Sequence, residues 1–201
     1  MINSSSLKEN LRLGEAVYKD FKKEFPVLRS KTFVQCKIFQ YEGSDRFEKI
    51  RHKVENLADS NAAGIRDVRW QISGKYFNLS EYIDKLKKVI SAKKYANCDE
   101  QAQIIQFELL KRHQKSHFIS MHVRDAESGR NIKFRMHDFS VFGLKKGAEI
   151  DNPKTWGNNA VVVDPWSNRV MPANEAIRYY ETKFGFNPEI HKITYSVRNQ
   201  V

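Results

Sequence analysis

Apolar residues in the first half of the chain recur three or four positions apart, which is the spacing of one face of an α-helix. Residues 7–25 show this pattern first, and Pro26 ends it. The apolar stripe consists of Leu11, Ala16, Tyr18, Phe21 and Phe25. The pattern returns over residues 44–59 and 78–95, each with a serine near its start that can cap a helix. We therefore expect three helices before residue 96.

Two stretches between these helices follow no helical pattern. Apolar and polar positions alternate only partly over residues 31–42, which indicates either a strand or a buried apolar run. Cys36 lies within this stretch. Residues 61–77 are predicted to be a loop that holds Trp70. The first half is thus mainly helical.

The second half of the chain has strand patterns instead. Residues 117–125 and 130–144 alternate apolar and polar positions, and Ser128 with Gly129 between them suits a hairpin turn. The remaining predicted elements are a strand over residues 159–166 that Pro165 ends, a helix over 173–186 and a strand over 189–197. Helices followed by a mostly antiparallel sheet predict an α+β fold, with the helical half packed on the sheet.

The length of 201 residues predicts one domain over 1–201, with a helical N-terminal part at 1–90 and a core at 91–201. No apolar run approaches the roughly 20 residues of a membrane span. The N-terminus lacks the apolar core of a cleavable signal peptide. The two cysteines, Cys36 and Cys98, are too few for a disulfide framework, so we expect a reducing, cytosolic compartment.

Basic residues outnumber acidic ones, 35 to 24, and the formal net charge is +11. Such a surface attracts acidic proteins or nucleic acid. The basic residues are spread along predicted helices, however, which is also typical of solvated helix faces. No nucleic-acid-binding motif accompanies them. A basic binding module without catalysis is therefore one hypothesis, with nucleic acid not excluded as its partner.

Cys98 stands at the start of a further predicted helix, residues 98–112, capped by Asn97 or Asp99. On this helix, Ala102, Ile105 and Leu109 share a face with the cysteine. The first-turn N–H groups and the helix dipole lower the pKa of a thiol in that position, and they can also stabilise an oxyanion. The alternative is a buried, unreactive thiol that packs like alanine.

A nucleophilic thiolate needs a base and a group that orients the base. Of the six histidines, His137 precedes an apolar run and is predicted to begin a central strand. Asp164 follows a run of apolar residues at the end of another strand. Asp138 is expected to point to the opposite strand face from His137, and so receives no orienting role. For Asp164, a simple strand-end turn before Pro165 is the alternative.

Three short motifs, "ANCDEQA", "HDFSVFG" and "VVVDPW", occur in this order along the chain. They resemble the pattern N/G-x-C-x-E-x-A, H-x-F/W-x-V and V-D-P-W of the transglutaminase-like branch of the papain-like cysteine protease superfamily. The resemblance covers roughly residues 95–166. It implies a papain- or transglutaminase-like core at 91–201 that contains the nucleophile helix and the antiparallel sheet.

The resemblance also implies a role for each matching residue. Cys98 would attack an amide or thioester carbonyl, His137 would take and return the proton, and Asp164 would orient the histidine. Either Trp70 or Gln71 is a candidate for a second oxyanion donor beside the backbone N–H of Cys98. The supporting residues are Glu100 and Trp166, which are expected to pack under the site. No cofactor and no metal are expected, since no C-x-x-C or H-x-x-x-H spacing accompanies the three residues.

An enzyme of this kind could act as a protease, a glutamine deamidase or a transglutaminase, depending on whether water or an amine resolves the acyl-enzyme. Its expected partner is a protein substrate, with an acidic surface as one form of it. By analogy of fold, such an enzyme also fits a bacterial effector delivered into a host cell.

Overall fold

A computed structural model of the chain describes residues 5–26, 28 and 79–197. The elements predicted at 31–42, 44–59 and 61–77 lie outside these residues. The helices of the described part are α1 (Leu7–Glu24), α2 (Leu79–Lys93), α3 (Cys98–Lys111) and α4 (Ala173–Lys183). Its strands are β1 (Ser116–Asp125), β2 (Asn131–Phe142), β3 (Val161–Asp164), β4 (Arg169–Pro172) and β5 (His191–Val197). A single 3₁₀ turn, Pro153–Thr155, lies between β2 and β3.

The five strands form one antiparallel sheet in the order β4-β3-β2-β1-β5. The predicted hairpin of β1 and β2 is confirmed, with Ser120 opposite Asp138 and Met121 opposite His137. The last strand returns to pair with β1, so β2 lies at the centre of the sheet. Strand β4 was not predicted, because its four residues are too short to show an alternating pattern.

Helices cover both faces of this sheet. On one face, Phe142, Val161 and Val163 share an apolar core with α1, α2 and α3. On the other face, Phe139 and Val141 pack with α4 and with residues of the loop between β2 and β3. We call these the α3 face and the α4 face of the sheet. Mixed helix and antiparallel sheet confirm the predicted α+β class.

The predicted helix faces are confirmed for α3 and corrected for α1. Cys98, Ala102, Ile105 and Leu109 are all buried along one side of α3. In α1 the buried side also includes Gly14 and Val17, whereas Ala16 is exposed. The spacing predicted the helix, but the small residue at 14 was not recognised as the contact point with the sheet.

Hydrogen bonds tie α3 to the strands beneath it. The Ser140 hydroxyl donates to the Ala102 carbonyl at 2.6 Å, from the centre of β2 to the second turn of the helix. The Ser116 hydroxyl donates to the Gln106 carbonyl at 3.2 Å, and the Gln106 amide donates back to the Ser116 carbonyl at 3.2 Å. Buried hydrogen bonds of this kind fix a helix in register with a sheet. They hold the start of α3 above the middle of β2.

Candidate active site

The start of α3 is built by a local set of polar contacts. Asn97 has extended backbone and precedes the helix, and its N–H donates to Glu100 Oε2 at 2.7 Å. The Tyr95 hydroxyl donates to Asn97 Oδ1 at 3.0 Å. Glu100 is buried, so this contact closes the first turn away from solvent. Glu100 therefore fixes the backbone of the turn that carries Cys98.

Cys98 is the first residue of α3, and its side chain is only 6% exposed. The thiol donates to Asp138 Oδ2 at a sulfur–oxygen distance of 3.8 Å. Asp138 also accepts a short hydrogen bond from the Ser120 hydroxyl on the neighbouring strand β1. The side chain that hydrogen-bonds to the candidate nucleophile is thus a carboxylate.

These surroundings raise the pKa of the Cys98 thiol well above its usual range. Burial is the largest cause, followed by the negative charge of Asp138, with smaller contributions from Asp99 and Asp164. A hydrogen bond from the Asp138 backbone opposes them but is weaker. The expectation of a thiolate stabilised by the helix start is therefore wrong for this arrangement. Loss of solvent and three carboxylates outweigh the positive end of the helix.

His137 and Asp164 meet on the α4 face. His137 Nε2 lies 2.8 Å from Asp164 Oδ2, and both side chains are fully buried. Strands β2 and β3 are paired neighbours, and the two residues stand near the point where β3 ends. The structure thus brings together the predicted base and the predicted orienting acid.

Asp164 accepts two further hydrogen bonds. The Tyr180 hydroxyl on α4 donates to Oδ2 at 2.7 Å, and the Ser167 backbone N–H donates to Oδ1 at 3.2 Å. Burial raises the pKa of Asp164. The charge and the hydrogen bond of His137 lower it, and the hydrogen bonds of Ser167 and Tyr180 add to this effect, which together outweighs burial. The pKa is therefore lower than usual. The carboxylate is ionised at neutral pH, so His137 donates from Nε2.

Aromatic rings surround the His137 imidazole. The ring centres of Trp166, Tyr180, Phe184 and Phe139 lie 4.6, 4.8, 5.8 and 6.0 Å from that of the histidine. Trp166, predicted to support the site, is buried against the imidazole. Among the described residues, His137 Nδ1 is buried and has no hydrogen-bond partner. Its lone pair is left as an acceptor.

The alternation of β2 separates the two halves of the candidate site. His137 points to the α4 face, whereas Asp138 points to the α3 face and reaches Cys98. No hydrogen bond joins Cys98 to His137. The sulfur nevertheless belongs to the same apolar core as Trp166 and Tyr180, which contact the histidine. The candidate nucleophile and the candidate base are therefore not hydrogen-bonded to each other.

Sequence reasoning missed two contacts of this site. Asp138 was correctly predicted to point away from His137, but nothing in the sequence placed α3 over that face. Tyr180 carried no motif, and only its position on the buried side of α4 could have indicated it. The oxyanion candidates Trp70 and Gln71, like Cys36, lie outside the described residues.

Comparison with known proteins adds no assignment. No protein-family model matches the chain, and neither curated proteins nor solved structures include a significant match to it. Within the described part, no three His, Cys, Asp or Glu side chains are placed to share a metal ion. None of the helices described there has the length and apolar character needed to cross a membrane.

Proposed function

We propose that the protein is a cysteine-dependent acyl-transfer enzyme that acts on a protein amide through Cys98, His137 and Asp164. The observation that carries the proposal is the buried His137, which is bound at Nε2 by Asp164 and has no hydrogen-bond partner for Nδ1 among the described residues. Buried polar atoms are seldom left unpaired without a reason. An oriented imidazole with a free acceptor nitrogen is what a general base requires.

In the proposed reaction, the Cys98 side chain turns from Asp138 toward His137 and passes its proton to Nδ1. The thiolate then attacks the substrate carbonyl carbon, and the electron pair of the C=O bond moves to oxygen. When this intermediate collapses, the imidazolium gives the proton to the departing amine or ammonia, and a thioester remains. Water or a second amine cleaves the thioester and restores the thiol.

The product depends on the acyl donor and on the acceptor. Water makes the enzyme a protease when the donor is a peptide bond, and a deamidase when it is glutamine. A lysine acceptor makes it a transglutaminase. The net charge of +11 favours a substrate protein with an acidic surface. The proposed setting is the reducing cytosol, either of the producing cell or of a host into which an effector is delivered.

The order of elements supports a papain- or transglutaminase-like core within this proposal. The candidate nucleophile begins a helix, and the candidate base and acid follow on two adjacent antiparallel strands. This agrees with the family resemblance of "ANCDEQA", "HDFSVFG" and "VVVDPW". The resemblance itself remains a proposal.

The test is alkylation by one equivalent of iodoacetamide at neutral pH, with the modified cysteine identified by mass spectrometry. Cys36 serves as the internal reference. We expect the rate of Cys98 modification, measured relative to Cys36, to fall about tenfold or more in His137→Gln, since Nδ1 is the proposed acceptor of the thiol proton. His122→Ala, another histidine in the sheet, is the matched control and should keep the wild-type rate.

A second arm follows the products formed from an acidic, glutamine-containing protein such as casein in the presence of a fluorescent primary amine. Peptide fragments, released ammonia and covalently attached amine distinguish the three reactions. Whichever product forms, it should be lost in Cys98→Ala and Asp164→Asn. Product formation that survives Cys98→Ala would exclude the proposed nucleophile.

A non-catalytic binding module is the second candidate, and one observation favours it. Cys98 hydrogen-bonds to Asp138 rather than to a histidine, and its raised pKa keeps the thiol neutral. In that case Cys98 is a core residue. Equal, slow alkylation of both cysteines, unchanged in His137→Gln, would support this candidate over the enzyme.

A further inference from the structure

Asp164 Oδ2 accepts two hydrogen bonds on the α4 face, one from a strand and one from a helix. His137 Nε2 lies 2.8 Å from this oxygen, and the Tyr180 hydroxyl lies 2.7 Å from it. All three side chains are at most 1% exposed. In such a dry environment, hydrogen bonds to a carboxylate are strong and influence each other.

Contacts from a strand, a helix and a turn hold the carboxylate in one orientation. The Ser167 backbone N–H occupies Oδ1, so the Asp164 side chain cannot rotate without losing a hydrogen bond at either oxygen. Tyr180 itself is held by packing against His137 and against Phe139, whose ring centre is 5.1 Å away. The hydroxyl is thereby directed at the one oxygen that His137 uses.

We propose that Tyr180 is a positioning residue of the site: its hydroxyl fixes the Asp164 oxygen that binds His137 and takes up part of that oxygen's negative charge. The proposal rests on the proposed function of His137 as a base. The hydroxyl competes with the imidazole for the same carboxylate oxygen. It therefore weakens the hydrogen bond that Asp164 accepts from the His137 Nε2–H.

Other titratable and charged groups near His137 can also change the electrostatic environment of its ring. Among the described residues, Asp164 on β3 and Tyr180 on α4 are titratable groups that contact the ring, and Cys98 lies in the same apolar core as Tyr180. The nearby cation is Lys183, whose Nζ lies 5.0 Å from the ring centre of Trp166. Of the two groups in contact with the ring, Tyr180 is the one that can be changed without removing a charge.

The experiment measures the ¹⁵N chemical shifts of the His137 ring nitrogens over pH in full-length protein, with His137→Gln used to assign the signals. Tyr180→Phe removes the competing donor, so Asp164 binds the imidazole more strongly. We expect the ¹⁵N signal of His137 Nε2 to move in the direction of a stronger hydrogen bond to the carboxylate. The matched control is Tyr179→Phe, the adjacent tyrosine, whose hydroxyl accepts from Lys183 at 3.0 Å; it should leave the signals unchanged.

Replacement of Tyr180 by 3-fluorotyrosine strengthens the hydroxyl as a donor instead of removing it, and it keeps nearly the same side-chain size. The fluorinated phenol is a stronger hydrogen-bond donor, so the ¹⁵N signal of His137 Nε2 should move in the direction of a weaker hydrogen bond to Asp164. Opposite shifts in the two variants support the proposal, and unchanged or parallel shifts overturn it. If the proposed function is wrong, the rate of Cys98 alkylation will be the same in His137→Gln as in the wild type. The ¹⁵N signals of His137 would still change in the Tyr180 variants.

Discussion

Two consecutive residues of β2 contact different parts of the candidate site. His137 lies on the α4 face against Asp164, and Asp138 lies on the α3 face against Cys98. Because strand side chains alternate, one residue step separates the proposed base from a carboxylate that keeps the thiol protonated. In the proposed reaction, the reactivity of Cys98 depends on whether its thiol faces Asp138 or His137.

Asp138→Asn should make Cys98 more reactive. The substitution removes the charge that, after burial, contributes most to the raised pKa of the thiol. Each unit of decrease gives about tenfold more thiolate at a fixed pH below the pKa. We expect iodoacetamide modification of Cys98 at neutral pH to accelerate about threefold or more, measured by mass spectrometry against Cys36.

Asp99→Asn is the control for that measurement. Asp99 is partly exposed and contributes less to the same shift, so its replacement should accelerate the reaction less. An unchanged or slower rate in Asp138→Asn would show that the carboxylate does not control the thiol.

At the scale of elements, α1 approaches the sheet at a glycine. A Cβ atom added at Gly14 would lie 2.9 Å from Val170 Cγ1 and 3.1 Å from Val163 Cγ2. Both valines are stiff side chains of adjacent strands, and Val163 directly precedes Asp164. The lack of a side chain at this position lets the helix lie close to the end of β3 that carries Asp164.

Gly14→Ala should destabilise the protein although alanine is the better helix former. Helix propensity alone would stabilise by about 1 kcal/mol. The contacts with Val163 and Val170 require a shift of α1 or of the strands, and overpacking of this kind costs about 1–3 kcal/mol. We expect a lower free energy of unfolding in urea.

Ala16→Gly, on the exposed side of α1, measures the effect of helix propensity alone on the free energy of unfolding. It should lower the stability by about 1 kcal/mol with no packing effect. If Gly14→Ala instead stabilised the protein by a similar amount, the close contact of α1 with the sheet would be disproved.

At the scale of the whole molecule, the buried His137–Asp164 pair links folding to pH. The pKa of Asp164 is lower in the folded protein than the value of about 4 expected in the unfolded chain. The unfolded state therefore binds the proton more readily. The contribution of Asp164 to stability is complete above about pH 4 and is lost as the pH falls through the folded-state pKa.

Asp164→Asn should make the free energy of unfolding less dependent on pH below about 4, where the wild type loses this contribution. His137→Gln should have the same effect, because the histidine is the main cause that lowers the pKa of Asp164 against burial. Urea unfolding at a series of acidic pH values measures the slopes. Slopes equal to that of the wild type in both variants would contradict the linkage.

The sequence by itself determined much of this protein's local structure. Helical spacing predicted α1, α2 and α3, and alternation with a Ser-Gly turn predicted the β1–β2 hairpin, because these signals depend on residues close in the chain. The strand ending at Asp164 followed from a run of valines before Pro165. The buried side of α3 was also correct, since its apolar residues repeat at helical spacing.

Only the tertiary structure decided the environment of each candidate side chain. Cys98 was expected to be activated by its helix start, but its pKa depends on burial and on Asp138, which comes from a strand beneath the helix. Likewise, Tyr180 reaches Asp164 only because α4 packs on the face where β3 ends. A sequence pattern specifies which way a side chain points, whereas desolvation and charge depend on what the fold places opposite it.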